Sequence, residues 1–139
     1  MTADDNKRLI VRYLETLDSG DQERVLKLVD EIVADDYVAY WAGATYRGRD
    51  TLKSHISNAY LTFGEMRHTI EDNLAEGDTV VTRVMFRAML KGDFLGIPAT
   101  GKQIECPIIY ITKFRDGRFR EVWLDWDSLF TMAQQLRTS

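Results

Sequence analysis

A chain of 139 residues, 45% of them apolar and 29% charged, with a net charge of -4, has the composition of one soluble globular domain with room for a real core. Its basic residues are scattered rather than striped, which excludes nucleic acid as an expected partner. No apolar run approaches the roughly 18 residues of a membrane span, so no membrane association is expected.

The opening MTADDNKRL is acidic and polar, without a secretory apolar stretch. A single cysteine, Cys106, allows no internal disulfide. Both fit a reducing, cytoplasmic setting. Two histidines, His55 and His68, with no H-x-E, C-x-x-C or H-x-x-x-H spacing, give no recognisable metal site. Walker, G-x-G-x-x-G and G-x-S-x-G motifs are missing, so nucleotide and serine-hydrolase chemistry has no motif behind it.

Residues 4–18 read as a helix, with Leu9, Ile10, Tyr13, Leu14 and Leu17 in helical register and Asp4 or Asp5 as its cap. Ser19-Gly20 ends it, and Asp21 can cap a second helix carrying Val25, Leu26, Val29 and Ile32. So short a turn predicts antiparallel packing of the two. A short apolar strand, Tyr37 to Trp41, precedes a loop signal at Trp41-Ala-Gly-Ala44. A third helix fits 50–62, with His55 on the stripe of Leu52, Ile56, Ala59 and Tyr60.

From Glu65 onward the pattern turns to β. Met66 to Ala75 forms one strand, and Thr79 to Leu90 alternates cleanly after the Glu76-Gly77-Asp78 turn. The segment 92–102, GDFLGIPATGK, is long enough to overhang an opening. Gln103 to Phe114 is another strand, in which Pro107 predicts a bulge or an edge.

Asp116-Gly117 is the strongest hairpin signal in the chain. In the strand after it Glu121, Trp123, Asp125 and Asp127 fall two apart and share one face, against Val122, Leu124 and Trp126 on the other. Beyond Ser128 the pattern is helical, with Leu129, Ala133 and Leu136. Carboxylates beside large aromatics, where a strand hands over to a helix, suit a small-molecule pocket. Asp127 suits equally well a helix N-cap before Ser128-Leu-Phe130.

The predicted order, α-α-β-α-β-β-β-β with a short C-terminal helix, gives an α+β domain: helices packed on one face of a curved antiparallel sheet, enclosing a cone whose mouth is a pocket. Trp41, Tyr60, Phe63, Phe94, Tyr110 and Trp123 are the aromatics expected to line it for a planar ligand, although aromatics also serve as ordinary core. Asp127, with Asp125 and His55 behind it, is the candidate for proton transfer, because a carboxylate walled by tryptophans is partly desolvated and its pKa rises toward working pH. His68, in a strand beside Arg67, ranks below these.

Several pieces occur together in one order: Tyr46-Arg-Gly48 before the third helix, Glu76-Gly-Asp78, the 92–102 segment, Asp116-Gly117, Glu121-x-Trp123 with Asp127 four further on, and Gln134-Gln-Leu136. In this the sequence resembles the SnoaL-like polyketide cyclases. They are a branch of the cone-shaped nuclear-transport-factor-two-like superfamily that also holds ketosteroid isomerases and scytalone dehydratase. The resemblance spans roughly residues 7–136 and implies one domain over 1–139. It also implies a cofactor-independent enzyme in which an aspartate at the end of the last strand, here Asp127, removes a proton beside a carbonyl. The enolate then closes a ring by intramolecular aldol addition. Where relatives often carry a histidine before the Gly-Asp-Phe segment, this chain has Leu90-Lys91. The implied partners are a hydrophobic ring-containing carbonyl compound and a second copy of the chain across the outer face of the sheet. A non-catalytic module holding an apolar ligand in the same cone is the alternative.

Overall fold

The computed structural model describes residues 2–94, 96–125, 133 and 137. Helix α1 (Ala3–Asp18) begins at Thr2, whose hydroxyl accepts from the Asp5 amide at 3.1 Å while the Asp5 carboxylate accepts from the Thr2 amide at 3.0 Å. This capping box satisfies two amides that the first turn leaves without partners. The cap is therefore Thr2, with Asp5 as its reciprocal partner inside the helix, rather than Asp4 or Asp5 itself. Ile10, Leu14 and Leu17 form the buried stripe. Asp21 caps α2 (Gln22–Ile32) through the Arg24 amide at 3.1 Å. Arg12 of α1 meets Glu31 of α2 at 3.3 Å, both well away from the turn, as an antiparallel pair allows.

Strand β1 (Val33–Trp41) follows α2 without a loop, and β2 (Ala44–Arg47) folds back on it. The two are joined by Ala42-Gly43, both at positive φ (53° and 75°). That is the tight hairpin whose backbone twist matches its strands. Helix α3 (Arg49–Thr62) and β3 (Phe63–Glu76) come next, then β4 (Thr79–Leu90), β5 (Gln103–Arg115) and β6 (Arg118–Asp125). Asp116 and Gly117, at φ 53° and 73°, make the β5–β6 turn that the sequence announces.

The six strands form one sheet in the order β2-β1-β6-β5-β4-β3. It is mixed: β1 and β6 run parallel, Val38 beside Glu121 and Tyr40 beside Trp123, and the other neighbours are antiparallel. Inward residues of β4 (Val80, Thr82, Val84, Phe86, Ala88 and Leu90) are all buried under the helices. Outward residues Val81, Arg83 and Arg87 are exposed. The β4–β5 register is unbroken from Thr79 opposite Lys113 to Met89 opposite Gln103, so Pro107 makes no bulge there. Described pairing of β5 with β6 starts two residues further on, at Ile109 opposite Asp125. The breaks in register lie instead on β3, between Gly64 and Arg67 and between Ile70 and Asp72. The first contains Glu65 at φ 52°. Such bulges bend a strand and increase its twist. No helix among the described residues is long and apolar enough to cross a membrane.

The strand that leaves β4 is tied to the end of α3, since the Lys91 and Gly92 amides donate to the Thr62 carbonyl at 2.9 and 3.1 Å. A side chain at Gly92 would collide with the Leu61 backbone carbonyl. We expect Gly92→Ala to cost about 1–3 kcal/mol through backbone displacement, read as a lower midpoint in urea denaturation with an unchanged slope. A neutral result would show that this junction yields easily.

Candidate active site

Between the inner face of the sheet and helices α1 and α3 lies a cavity of about 320 Å³, within the lower range of small-molecule sites. Its position follows from the alternation of the strands. Tyr37 and Trp41 of β1, Phe86 of β4, Tyr110 of β5 and Val122 and Leu124 of β6 all point inward. The helices close it with Leu14 and Leu17 of α1 and with His55, Asn58 and Thr62 of α3. Edge-to-face contacts hold the aromatic floor open, with Phe63 on Phe86 at 5.2 Å and Tyr13 on Phe119 at 5.6 Å.

Of the aromatics expected in the pocket, Trp41, Phe63, Phe94 and Tyr110 line it. Tyr60 instead packs against the core, and its hydroxyl donates to the Leu17 carbonyl at 2.6 Å, joining α3 to α1. Trp123 faces the opposite side of the sheet, stacked on Tyr40 at 5.1 Å with the Lys113 ammonium 5.5 Å from its ring. Asp125 shares that outer face and is exposed. Strand alternation is the reason: Val122 and Leu124 take the inward positions, so their neighbours cannot. Asp127, and the helix expected after it apart from Ala133 and Arg137, lie outside the described residues.

His55 does line the cavity. Its ring meets Tyr46 edge-on at 4.7 Å and Trp41 at 5.7 Å. Burial there pushes its pKa below the ordinary 6.5, which favours the neutral imidazole. Among the described residues no group of three His, Cys, Asp or Glu side chains is placed to hold a metal ion.

The structure adds a pair that sequence reading missed. His68, on β3, also lines the cavity. Its Nδ1 lies 2.6 Å from Asp18 Oδ1, and its backbone amide donates to Asp18 Oδ2 at 2.7 Å. Both side chains are withdrawn from solvent, at 5% and 16% exposure. Fifty residues separate the two, so no local motif reveals them. One signal was available. Asp18 ends α1, where the negative end of the helix dipole disfavours a carboxylate, so an acid there calls for a compensating donor. His68 falls in phase with buried Met66, which marks it as inward.

Three phenols also meet the hollow: Tyr13, Tyr37 and Tyr110. Burial is the main cause that pushes all three pKa values well above 10, and neighbouring Tyr13, Asp18 and Tyr37 add to it at Tyr110. They therefore stay protonated and act as hydrogen-bond donors. No hydrogen bond to another described residue engages these three hydroxyls. Removing a hydroxyl that bonds no described residue takes no protein hydrogen bond from the fold. Tyr37→Phe should accordingly leave the melting temperature unchanged or raised, while weakening the binding of a ring ketone about 10-fold, the worth of roughly one hydrogen bond. Calorimetry of the free and ligand-titrated variant checks both, and a clear loss of stability would mean the hydroxyl is engaged in the free protein.

The family model described as SnoaL-like polyketide cyclase matches residues 7–136. Among solved structures the fold is similar to TsrD from Streptomyces laurentii, at 26% identity and a TM-score of 0.82 over 98% of this chain and 97% of that one. It is similar to IdmH, a candidate polyketide cyclase from Streptomyces antibioticus, at 29% identity and 0.77 over 94% and 97%. A Catenulispora acidiphila protein with a ketosteroid isomerase-like fold, in complex with trimethylamine, shares the fold at 13% identity and 0.68 over 85% and 84%. Among curated proteins none matches. With a match over nearly its whole length, the chain belongs to the SnoaL-like polyketide cyclase family.

Proposed function

We propose that this protein is a cofactor-independent enzyme of the polyketide-cyclase type, acting on a neutral, hydrophobic, ring-containing carbonyl compound held in the cavity. The observation that carries the reading is the hollow itself: aromatic walls around about 320 Å³, with neutral phenolic donors facing inward. Aromatic walls favour a flat apolar body, and O–H donors favour carbonyl oxygens, most strongly when those oxygens gain charge as an enolate. The lining contains no Lys or Arg among the described residues, so an anionic ligand would enter without a counter-charge, at a high desolvation cost.

Asp127 is the acid/base group in this reading, on the strength of its place in the family's pattern. Asp127→Asn preserves shape and any capping role but removes the base. Turnover of an enolisable ring ketone should fall about 100-fold or more, with binding held within a few-fold. A near wild-type rate in this variant would remove Asp127 from the mechanism. Tight binding with no turnover by the unaltered protein would identify a binding module instead.

A second copy of the chain is the partner we propose. On the outer face of the sheet Leu74, Val81, Ile111, Trp123 and Tyr40 are successive cross-strand neighbours, an apolar row spanning five strands. Leu74 is 66% exposed and Val81 and Ile111 are each 37% exposed. A two-fold contact buries the same row from both sides, and the ion pairs Asp72–Arg83 and Glu105–Arg87 flank it with both signs of charge. Light scattering at micromolar concentration should give twice the chain mass, and Ile111→Asp should give the single mass. A monomeric wild-type protein would refute the arrangement.

A further inference from the structure

The geometry points to His68 as a catalytic base of the cavity, oriented by Asp18 and acting through Nε2 on the carbon beside a bound carbonyl. This rests on the carbon-acid reading above and adds a proton-transfer group to Asp127. One carboxylate spans two N–H positions of the same residue, the backbone amide at 2.7 Å and Nδ1 at 2.6 Å. Nδ1 is the ring nitrogen nearer the backbone, so this bidentate hold fixes the ring as well as its tautomer. An ionised carboxylate has no proton to give, so Nδ1 carries the hydrogen of that bond, and in the neutral ring Nε2 then keeps its lone pair. The ring lines the cavity and is 5% exposed, so Nε2 has the hollow rather than bulk water to act on. Phe86 lies against the imidazole at 4.9 Å and blocks it from swinging on that side.

This is the arrangement that proton abstraction requires: a base, a group that orients it and balances its charge, and donors for the developing oxyanion. Nε2 takes the proton from the α-carbon. The C–H electron pair becomes the carbon–carbon double bond of an enolate, and the carbonyl π pair moves to oxygen, which accepts a hydrogen bond from a phenol such as Tyr110 or Tyr37. Asp18 balances the imidazolium. When the enolate carbon bonds to a second carbonyl carbon of the same molecule, that carbonyl becomes an alkoxide and receives the proton from Nε2. His68 ends neutral and no atom is lost.

The probe is 2-tetralone, a two-ring ketone with exchangeable α-hydrogens, incubated with the full-length protein in D2O and followed by proton NMR. Wild-type protein should accelerate deuterium uptake at the α-carbon. His68→Gln should lose about 100-fold of that acceleration, and Asp18→Asn about 10-fold, with circular dichroism verifying that both fold. Independently of turnover, long-range nitrogen-proton NMR of the wild-type protein should show His68 protonated at Nδ1 and bare at Nε2, and Asp18→Asn should change that pattern. Acceleration that survives in His68→Gln, or a wild-type ring protonated at Nε2 alone, would overturn the role of His68 and leave the carbon-acid reading standing. No acceleration by the wild-type protein would overturn the carbon-acid reading, and His68 as its base with it.

Discussion

The hollow exists because the end of helix α1 is fastened to the sheet by polar bonds as well as by packing. Asp18 closes α1 and accepts two N–H groups from His68 on β3. Bonds to a charged group contribute about 1.5–3 kcal/mol each where they are well formed, and breaking one leaves a buried charge short of a partner. Apolar side chains alone would let α1 slide toward the sheet until the space closed, since close packing is the default of a protein interior. A directional clamp at one end and the Tyr60–Leu17 hydrogen bond to α3 beside it set a fixed separation. The residues that keep the cavity open thus include His68, which is also part of its wall.

Magnitudes show why such fixing matters. A hollow of about 320 Å³ forgoes the packing contacts that would otherwise fill it, and net stability of an ordinary domain is only about 5–15 kcal/mol. A sequence selected for stability alone would fill that space. This one spends three large phenols and two imidazoles on its walls, where leucines would pack, and leaves hydroxyl groups facing inward. Those groups are costly in an empty hollow and useful around an oxygen-bearing guest. The stability forgone in the free protein returns as affinity when a guest supplies acceptors.

Much of this was legible in the chain, and the losses have physical causes. The period of two in β4, the Asp116-Gly117 turn and the Asp21 cap are local signals, and each holds. Strand β2 is four residues long and turns at Ala42, where the expected turn residue is Asn, Asp or Gly, so it reads as loop. Which face of β6 turns inward is hard to read locally for a different reason. Alternation separates Trp123 and Asp125 from Val122 and Leu124, but it does not say which set lies under the helices. The carboxylates drew attention to one face, whereas burial follows the plainer rule that the uniformly apolar face turns inward. Trp123 is large and apolar and yet belongs to the outer row, beside Tyr40 and Ile111. The Asp18–His68 pair leaves only indirect marks in the sequence, an acid at a helix C-terminus and a histidine in phase with Met66, since the pairing itself depends on where α1 ends relative to β3.

The distribution of charge narrows what the cavity can hold. Of the polar groups meeting it, the phenols are neutral donors and His55 is driven toward its neutral form by burial, while His68 is held from outside the lining by the Asp18 carboxylate. The described walls therefore offer donors for oxygens and imidazole nitrogens, with no Lys or Arg among them. A substrate that begins neutral, becomes anionic at one oxygen while a proton sits on the imidazole, and ends neutral again matches that inventory at each stage. A carboxylate or phosphate ester does not, because its charge would persist with nothing to balance it. Charge that appears transiently beside prearranged donors is the condition under which a low-dielectric site favours a transition state over the ground state.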